Sequence, residues 1–309
     1  MSSWNPLISI VIPTFNRGNI IKETIFSVIE QTYKNIEIII IDDASTDDTE
    51  KVINDIYDRR IKYVKLNKNT SGTKPRNLGI SISKGEYIAF LDSDDLWLPN
   101  KLERQIRFIE DSKLSNKPVM FFTGLIIRNG KTEVYKINNN YSNEDIMDYI
   151  LVGNNTVQTS TYLVSSSIAK ETLFNKNLKK HQDWDFCLRL QKNNVTFTYL
   201  PECLTIWNVD IKNNRLSNSY KNEDISLVWF NQNKKYLSLK AQLAFKTIIL
   251  VDRYINERKK IKATELALNA FIHRSINVSV LTKTLVKIYF PIGLQNGMKN
   301  LYMKIFIKI

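Results

Sequence analysis

Three carboxylates stand within four residues at the end of a short apolar run. The run covers residues 87–91, and Asp92, Asp94 and Asp95 follow it at once. Like charges this close raise one another's pKa unless a positive group neutralises them. A divalent cation is the simplest such group, because Mg²⁺ and Mn²⁺ prefer oxygen ligands. The pattern therefore favours a metal held by Asp92 and Asp94 that in turn holds a diphosphate. A solvated acidic turn that caps the next helix is the alternative.

Apolar runs alternate with helix-like segments through the first third of the sequence. Mainly apolar runs cover positions 7–12, 36–41, 61–66 and 87–91. Such runs predict parallel strands that are covered on both faces, and the segments between them predict helices. This alternation indicates a doubly wound α/β half, whose ligands bind beyond the carboxyl ends of the strands. The glycine patterns of dinucleotide-binding proteins and P-loop enzymes are missing, which argues against both classes.

Regular alternation ends near residue 115. The elements that we expect beyond it are a hairpin at Asn129-Gly130, a helix over residues 142–152, and short strands over residues 196–200 and 203–207. From about residue 223 onward the pattern is helical. We therefore expect an α/β domain over residues 1–220 and a helical region over residues 221–309.

The composition is that of a globular protein, with 309 residues of which 43% are apolar and 24% are charged. The net charge of +13 favours a polyanion or an anionic membrane surface as partner. Cys187 and Cys203 are the only cysteines, so a disulfide framework is excluded and a reducing compartment is expected. No apolar stretch reaches the ~20 residues of a spanning helix, and residues 1–6 lack the apolar core of a signal peptide. We expect a cytoplasmic protein.

The end of the sequence is basic and amphipathic. Residues 266–309 contain no acidic residue, and their basic side chains are Arg274, Lys283, Lys287, Lys299, Lys304 and Lys308. Apolar residues recur among them at nearly helical spacing, which suits a helix lying on an anionic bilayer. The alternative is a helix packed on the rest of the protein. The first interpretation predicts peripheral attachment to the inner face of the cell membrane. The sequence leaves the oligomeric state open, a homo-oligomer included.

Five short motifs occur in the order and spacing of a known family. They are Ile-Val-Ile-Pro-Thr-Phe-Asn at residues 10–16, Asp-Asp-Ala-Ser-Thr-Asp at 42–47, Arg-Asn-x-Gly at 76–79, Leu-Asp-Ser-Asp-Asp at 91–95 and His-Gln-Asp-Trp-Asp at 181–185. Over about residues 7–210 the sequence resembles the family 2 glycosyltransferases of the GT-A fold, most of all bacterial enzymes that build O-antigen or capsule repeat units. The resemblance implies a Rossmann-like α/β domain, a mixed sheet with helices on both faces.

The resemblance also implies which residues bind a UDP-sugar donor. The donor-binding residues would be Pro13, Thr14, Phe15, Asn16, Asp43, Arg76, Asp92 and Ser93. Among these, Asp43 would accept a hydrogen bond from the uracil imide, and Arg76 would lie near the base or the diphosphate. Asp94 would be the main direct ligand of Mn²⁺ or Mg²⁺, and Asp92 would face the ribose and the metal.

On the acceptor side, the resemblance makes Asp183 the general base. Its neighbours His181, Trp184 and Asp185 are candidates for acceptor binding. Gln182 stands where the family usually has Glu, which removes a charge beside the base and leaves Asp185 as a rival. A late Tyr-Arg-x-His motif of the family is replaced here by Trp-Asn-Val-Asp, so that Asp210 is a candidate metal ligand.

The activity that the resemblance implies is inverting, metal-dependent transfer of a hexosyl unit from UDP-glucose, UDP-galactose or an N-acetylated form. The acceptor would be a glycan carried on a polyprenyl diphosphate. A nucleotidyltransferase also fits paired carboxylates and a divalent metal, and a nucleic-acid-binding protein fits the charge. The sequence has no helix-turn-helix, RNP or zinc pattern, so we expect no nucleic acid partner.

Overall fold

The computed structural model describes residues 4–70, 73–115, 117–209 and 223–290. The chain divides into two compact units. The first consists of Met1–Ile146 and Thr156–Asn218, and the second of Met147–Asn155 and Ser219–Ile309. The grouping of residues 147–155 with the C-terminal helices is a feature that the sequence analysis did not predict.

Within the described residues, nine strands of the first unit form one mixed sheet. The strands are β1 (Ile8–Thr14), β2 (Ile36–Asp42), β3 (Ile61–Lys65), β4 (Tyr87–Phe90), β5 (Leu96–Trp97), β6 (Val119–Asn129), β7 (Thr132–Lys136), β8 (Leu163–Ser165) and β9 (Thr196–Asn208). Their order is β3-β2-β1-β4-β8-β6-β9-β5, and β7 pairs with β6. The first four strands run parallel, whereas β8 is antiparallel to both of its neighbours. The predicted α/β class with a mixed sheet is confirmed.

The helices of the first unit connect the strands. They are α1 (Ile21–Ile29), α2 (Thr49–Asn54), α3 (Lys74–Ile82), α4 (Lys101–Asp111), α5 (Ser166–Thr172) and α6 (Gln182–Lys192). Isoleucines of β1 and β2 are buried on both sides of the sheet, which explains why the sequence of these strands is almost wholly apolar. Helix α3 lies very close to β1, because a methyl group on Gly79 would overlap the Cγ1 methyl of Val11. The motif glycine thus allows α3, the helix that carries Arg76, to lie close to β1.

Two expected elements differ in the structure. Only residues 146–152 of the predicted helix at 142–152 are helical, and Asp148–Val152 among them form a π-helical turn. The two short strands predicted around Pro201 are one strand, β9. Pro201 is exposed, and a register shift between β9 and β6 at Gly124 accommodates the irregularity without ending the strand. The hairpin is confirmed, with Gly130 at φ +58°.

The described part of the second unit is helical from residue 223 to residue 289, apart from short connections. Its helices are α7 (Glu223–Asn233), α8 (Leu239–Asn256), α9 (Lys260–Ile272) and α10 (Val278–Tyr289). Val251, Ala263 and Ile288 form a small core between α8, α9 and α10, and Lys287 is ion-paired with Asp252 at 2.5 Å. Among the helices that the structure describes, none combines the length and apolar character that a bilayer crossing requires. The last part of the predicted amphipathic stretch, residues 291–309, lies outside the described residues.

Candidate active site

The acidic loop follows β4 at the carboxyl edge of the sheet. The hydroxyl of Thr24, on α1, donates to the backbone carbonyls of Ser93 and Asp95 at 3.1 and 3.0 Å. The side-chain amide of Asn208, at the end of β9, donates to the carbonyl of Asp94 at 2.7 Å. Elements at two distant points of the sequence therefore fix the backbone of this loop.

Ser160, in the segment before β8, also holds the acidic loop. The backbone N–H of Asp92 donates to the Oγ of Ser160 at 3.0 Å, and the Ser160 hydroxyl donates to Asp95 Oδ2 at 2.7 Å. Gln158 donates to the same oxygen at 2.8 Å. Asp95 is only 1% exposed, and its burial, together with the charges of Asp92 and Asp94, raises its pKa well above the usual range. Asp95 is thus an anchor of the loop and faces the interior.

The two predicted metal-binding carboxylates are each paired with an arginine. Arg76, in the first turn of α3, forms a hydrogen-bonded ion pair with Asp92. Arg17, in the loop after β1, lies with its Nη2 3.8 Å from Oδ2 of Asp94, which is an ion pair too long for a hydrogen bond. The side chains of both pairs are between 15% and 28% exposed, so their charges interact more strongly than they would in water.

The donor set suits a hard divalent cation. Mg²⁺ is commonly held by one or two carboxylates together with substrate phosphates and water, and Asp92 and Asp94 supply two carboxylates on one loop. Among the described residues, no group of three His, Cys, Asp or Glu side chains could enclose a metal ion. A cation at this loop would therefore take its other ligands from the substrate and from water. Asp210, the further candidate ligand, lies outside the described residues.

Arg76 also connects the acidic loop with the start of α6. Its Nη1 donates to Gln182 Oε1 at 2.8 Å, while its Nη2 holds Asp92. The guanidinium carbon lies 5.7 Å from the centre of the Phe174 ring, which supports the side chain from one side. The side chain that replaces the usual Glu of the family is therefore an uncharged hydrogen-bond partner of Arg76.

Asp183 comes next to Gln182 in the first turn of α6 and shares this environment. The pKa of Asp183 is raised to about 6, chiefly by burial and also by the charge of Asp92, while backbone N–H donors and Arg76 oppose the increase. The Trp184 backbone N–H donates to Asp183 Oδ1 at 2.9 Å. A carboxylate that ionises just below neutral pH is suited to act as a general base. Asp185, its rival, is 3% exposed and is therefore less accessible to a substrate.

His181 and Trp184 form a stacked pair at the same helix end. Their ring centres are 4.6 Å apart and their planes differ by 13°. His181 has a left-handed backbone conformation, with φ 60°. Burial, with the nearby charge of Lys180, lowers the pKa of His181 to about 3, so its imidazole is neutral at physiological pH. The pair is a rigid aromatic surface beside Asp183, and the acceptor-binding role of both residues stays a prediction.

The loop after β1 also lies beside the acidic loop, because its Arg17 pairs with Asp94. Asn16, at φ 51°, accepts a hydrogen bond from the Thr46 N–H at 2.9 Å and donates its own N–H to Ser45 Oγ at 2.8 Å. Phe15 is 40% exposed, which is unusual for a large apolar ring and leaves it accessible to a ligand. Pro13 is half-buried and Thr14 is buried beneath this loop.

Asp43 lies at the end of β2, beside the same loop. Its backbone N–H donates to the carbonyl of Thr14 at 2.8 Å. Its carboxylate accepts hydrogen bonds from the Thr70 N–H, at 2.9 and 3.1 Å, and from the Thr70 hydroxyl, at 2.7 Å. The carboxylate is therefore held firmly at the edge of the sheet. Its role toward a uracil imide stays a prediction.

The structure adds residues that the sequence analysis did not select, namely Arg17, Gln158, Ser160 and Asn208. Arg17 follows the Pro-Thr-Phe-Asn motif directly, and its charge was a signal available in the sequence. The other residues touch the acidic loop from positions more than sixty residues away. No spacing rule indicates contacts of that kind.

The mixed sheet, with its acidic loop at the carboxyl edge and a carboxylate on a facing helix end, is that of a GT-A glycosyltransferase. Residues 9–168, more than half of the chain, match the sequence pattern described as "Glycosyl transferase family 2". The chain belongs to glycosyl transferase family 2, as the resemblance predicted, and it is a glycosyltransferase.

Relatives in two bacteria illustrate this membership. The chain is 29% identical to "Amylovoran biosynthesis glycosyltransferase AmsB" of Erwinia amylovora over 83% of this chain and 87% of that protein. It is 50% identical to "UDP-Glc:alpha-D-GlcNAc-diphosphoundecaprenol beta-1,3-glucosyltransferase WfaP" of Escherichia coli over 35% of this chain and 43% of that protein. In fold it is similar to S. aureus TarS 1-349, crystallised with UDP-GlcNAc, with a TM-score of 0.64, 16% identity, and coverage of 95% of this chain and 91% of that chain.

Proposed function

We propose that this enzyme transfers a hexosyl unit from a UDP-sugar to a glycan acceptor carried on a polyprenyl diphosphate, with inversion and with Mn²⁺ or Mg²⁺. The product would be part of a bacterial surface polysaccharide such as an O-antigen or a capsule. The names of AmsB and WfaP support a polysaccharide product and a lipid-linked acceptor. TarS, which has the same fold, was crystallised with UDP-GlcNAc and with UDP.

One observation carries the proposal more than any other. Arg76 joins Asp92, on the predicted donor side, with Gln182, which precedes the predicted base Asp183. This bridge brings the loop with the predicted donor carboxylates and the helix end with the predicted base within reach of one arginine side chain, which supports the proposal. A direct displacement needs this arrangement, because the leaving group and the incoming hydroxyl must lie on opposite sides of one carbon atom.

On the donor side, negative charge develops on the UDP as it leaves. A divalent cation held by Asp92 and Asp94 would act as a Lewis acid toward the diphosphate. Arg76 keeps Asp92 in place and adds a fixed positive charge near the same point. The loop at Pro13–Asn16 and the carboxylate of Asp43 would bind the uridine and so hold the donor in line.

On the acceptor side, Asp183 would remove the proton from the attacking hydroxyl. The new bond forms between that oxygen and the anomeric carbon, while the bond from this carbon to the phosphate oxygen breaks and leaves UDP. One carboxylate is sufficient for this step, and the configuration at the carbon is inverted. General-base assistance is typically worth ~10²–10⁴-fold in rate. The raised pKa of Asp183 suits this role at neutral pH.

We further propose that the C-terminal region brings the enzyme to the inner face of the membrane, where a lipid-linked acceptor would lie. Leu285 and Ile288 of α10 pack within the second unit, so their apolar face is already covered. Membrane contact is therefore assigned to residues 291–309, which carry Lys299, Lys304 and Lys308 and no acid. Deleting residues 291–309 should reduce binding to anionic vesicles, and unchanged binding would contradict this part.

The donor and the acceptor are tested together by mass spectrometry. The enzyme is incubated with Mn²⁺, a lipid-linked GlcNAc diphosphate analogue and one UDP-sugar at a time. We expect the mass of one hexose or N-acetylhexosamine to be added, and UDP to be released. Release of inorganic diphosphate from a nucleoside triphosphate would instead indicate a nucleotidyltransferase.

The Asp94→Asn variant should lose about a hundredfold or more of the metal-supported rate, whereas Asp111→Asn, which alters an exposed aspartate on α4, should retain it.

A further inference from the structure

We propose that Arg17 is a second cationic ligand of the donor diphosphate, and that it gives up Asp94 for phosphate oxygens when donor and cation bind. The inference rests on the proposed function for the identity of the donor. It adds a binding residue from the loop after β1, next to Asp94, whereas Arg76 pairs with Asp92.

The first argument is the position of the Arg17 guanidinium beside Asp94. Its side chain is only 15% exposed, yet its single ion pair with Asp94 is 3.8 Å long. Among the residues that the structure describes, it makes no side-chain hydrogen bond. A guanidinium carries five N–H donors, and in the described part of the chain no nitrogen of Arg17 is both buried and without a partner, so these donors remain accessible to a ligand. Such a group, pointing at a predicted metal ligand, indicates an anion with several oxygens, and a diphosphate is of that kind.

Arg60 of the same chain shows what a structural arginine looks like. Its side chain is 21% exposed, close to the value for Arg17. Arg60 makes hydrogen bonds of 2.6 and 3.0 Å to the Asp58 carboxylate, and another of 3.2 Å to the carbonyl of Ile29. Two arginines of similar burial thus differ in their contacts: Arg60 makes short hydrogen bonds to a carboxylate and a carbonyl, whereas the contact of Arg17 with Asp94 is 3.8 Å long.

The second argument is that the backbone of Arg17 is held rigidly. Its N–H donates to Thr49 Oγ1 at 2.8 Å, and its carbonyl accepts the Ile21 N–H at 2.8 Å. The next N–H, that of Gly18, donates to Asp47 Oδ2 at 3.1 Å. Because the backbone is fixed, the side chain has fewer conformations, and it loses less conformational entropy when an anion binds.

The third argument concerns charge. A cation on Asp94 and the guanidinium of Arg17 compete for the same carboxylate, because each neutralises it. When a cation binds Asp94, the attraction that holds Arg17 there is weakened. The nearest new partner for a guanidinium would be the diphosphate that the same cation holds. This exchange predicts opposite effects of removing Arg17 on the two ligands: weaker diphosphate binding and no loss of cation binding.

The test compares wild type with Arg17→Gln, Arg17→Lys and the control Arg107→Gln, which alters an exposed arginine on α4. Calorimetry with Mg²⁺ measures the binding of UDP, uridine and inorganic diphosphate. Electron paramagnetic resonance measures Mn²⁺ binding without nucleotide. We expect Arg17→Gln to weaken UDP and diphosphate by about tenfold or more, the loss typical of a charge-assisted hydrogen bond. Uridine should be unaffected, Mn²⁺ should bind as tightly or more tightly, and Arg17→Lys should lie between.

Equal UDP and diphosphate binding in wild type and Arg17→Gln would overturn the inference. So would an equal loss for uridine, because the loop itself would then be damaged, or a loss of Mn²⁺ binding. If wild type binds diphosphate in an Arg17-dependent manner but does not prefer UDP, the uridine donor of the proposed function is wrong and the role of Arg17 stands. If wild type prefers UDP and Arg17→Gln does too, the donor stands and the role of Arg17 is wrong.

Discussion

Arg76 pairs with Asp92, and this contact joins the first turn of α3 to the loop after β4. The same guanidinium reaches Gln182 with its other arm. A single positive charge is thus shared between the side of the site that would hold the donor and the helix end that carries Asp183. Changes to the charge at this junction should therefore appear in the behaviour of Asp183.

Replacing Gln182 with Glu would place a second carboxylate beside Asp183 and would draw Arg76 toward it. A neighbouring negative charge disfavours ionisation, so the pKa of Asp183 should rise. We expect the rising limb of the pH–rate profile to move to higher pH. The control is Gln232→Glu, the same change at an exposed site on α7. A profile that stays in place, or moves to lower pH, would show that residue 182 does not act on the base.

The raised pKa of Asp183 also predicts a pH-dependent stability. Because the pKa is raised to about 6 in the folded protein, the folded state keeps its proton at pH values where the unfolded state has lost it. Its contribution to stability therefore falls as the pH increases through that window. Asp183→Asn cannot ionise and should unfold a few degrees higher than wild type at pH 7.5, with a smaller gain at pH 5. Thermal unfolding of both proteins at pH 5 and pH 7.5 measures this difference. A gain in unfolding temperature that is independent of pH would contradict the raised pKa of Asp183.

Ser160 holds the acidic loop through Asp92 and Asp95, and removing its hydroxyl should loosen that loop. Ser160→Ala leaves a buried carboxylate oxygen short of one donor, at a cost of ~1–3 kcal/mol in the free energy of unfolding. Urea unfolding measures this value, and Ser81→Ala, at an exposed helix position, should change it by less than ~0.5 kcal/mol. The Ser160 variant should also need more Mn²⁺ for half-maximal rate. An unchanged Mn²⁺ requirement would limit Ser160 to a role in stability.

Gly79 allows α3 to lie against β1, so a larger residue there should displace the helix. Gly79→Ala overlaps Val11, and overpacking of this kind costs ~1–3 kcal/mol. The double variant Gly79→Ala with Val11→Ala should recover part of that loss, because the two methyl groups no longer collide. Unfolding of the two single variants and the double variant forms the required cycle. Strict additivity of the two losses would show that the residues do not interact.

Much of the fold could be predicted because its strands are buried on both faces. The apolar run at 36–41 became β2, and the carboxylates followed β4 as expected. The bounds and types of elements were predicted less well where a strand is buried on one face only or where the backbone is irregular. Pro201 suggested an interruption, but an exposed proline beside a register shift is tolerated within β9. The π-helical turn within residues 142–152 has no pattern that distinguishes it from an ordinary helix.

The site could be predicted only in part, for a different physical reason. Residues that touch a substrate lie in motifs, so Asp94, Asp183 and Arg76 could be selected from the sequence and a resemblance. Ser160 and Asn208 act on the acidic loop through contacts 65 and 114 residues away from their partners. Contacts of this kind depend on the sheet order, in which β8 lies next to β4 and β9 lies two strands beyond β8.

The role of Asp183 as the base beside a bound UDP-sugar is tested most directly by one comparison. Glycosyl transfer to the lipid-linked acceptor and the Kd for UDP with Mn²⁺ are measured on the same preparation of Asp183→Asn. We expect transfer to fall by about a hundredfold or more, while the Kd for UDP stays within about twofold of the wild-type value because the charge removed does not touch the nucleotide. Near-normal transfer by Asp183→Asn, with UDP bound as in wild type, would contradict the assignment.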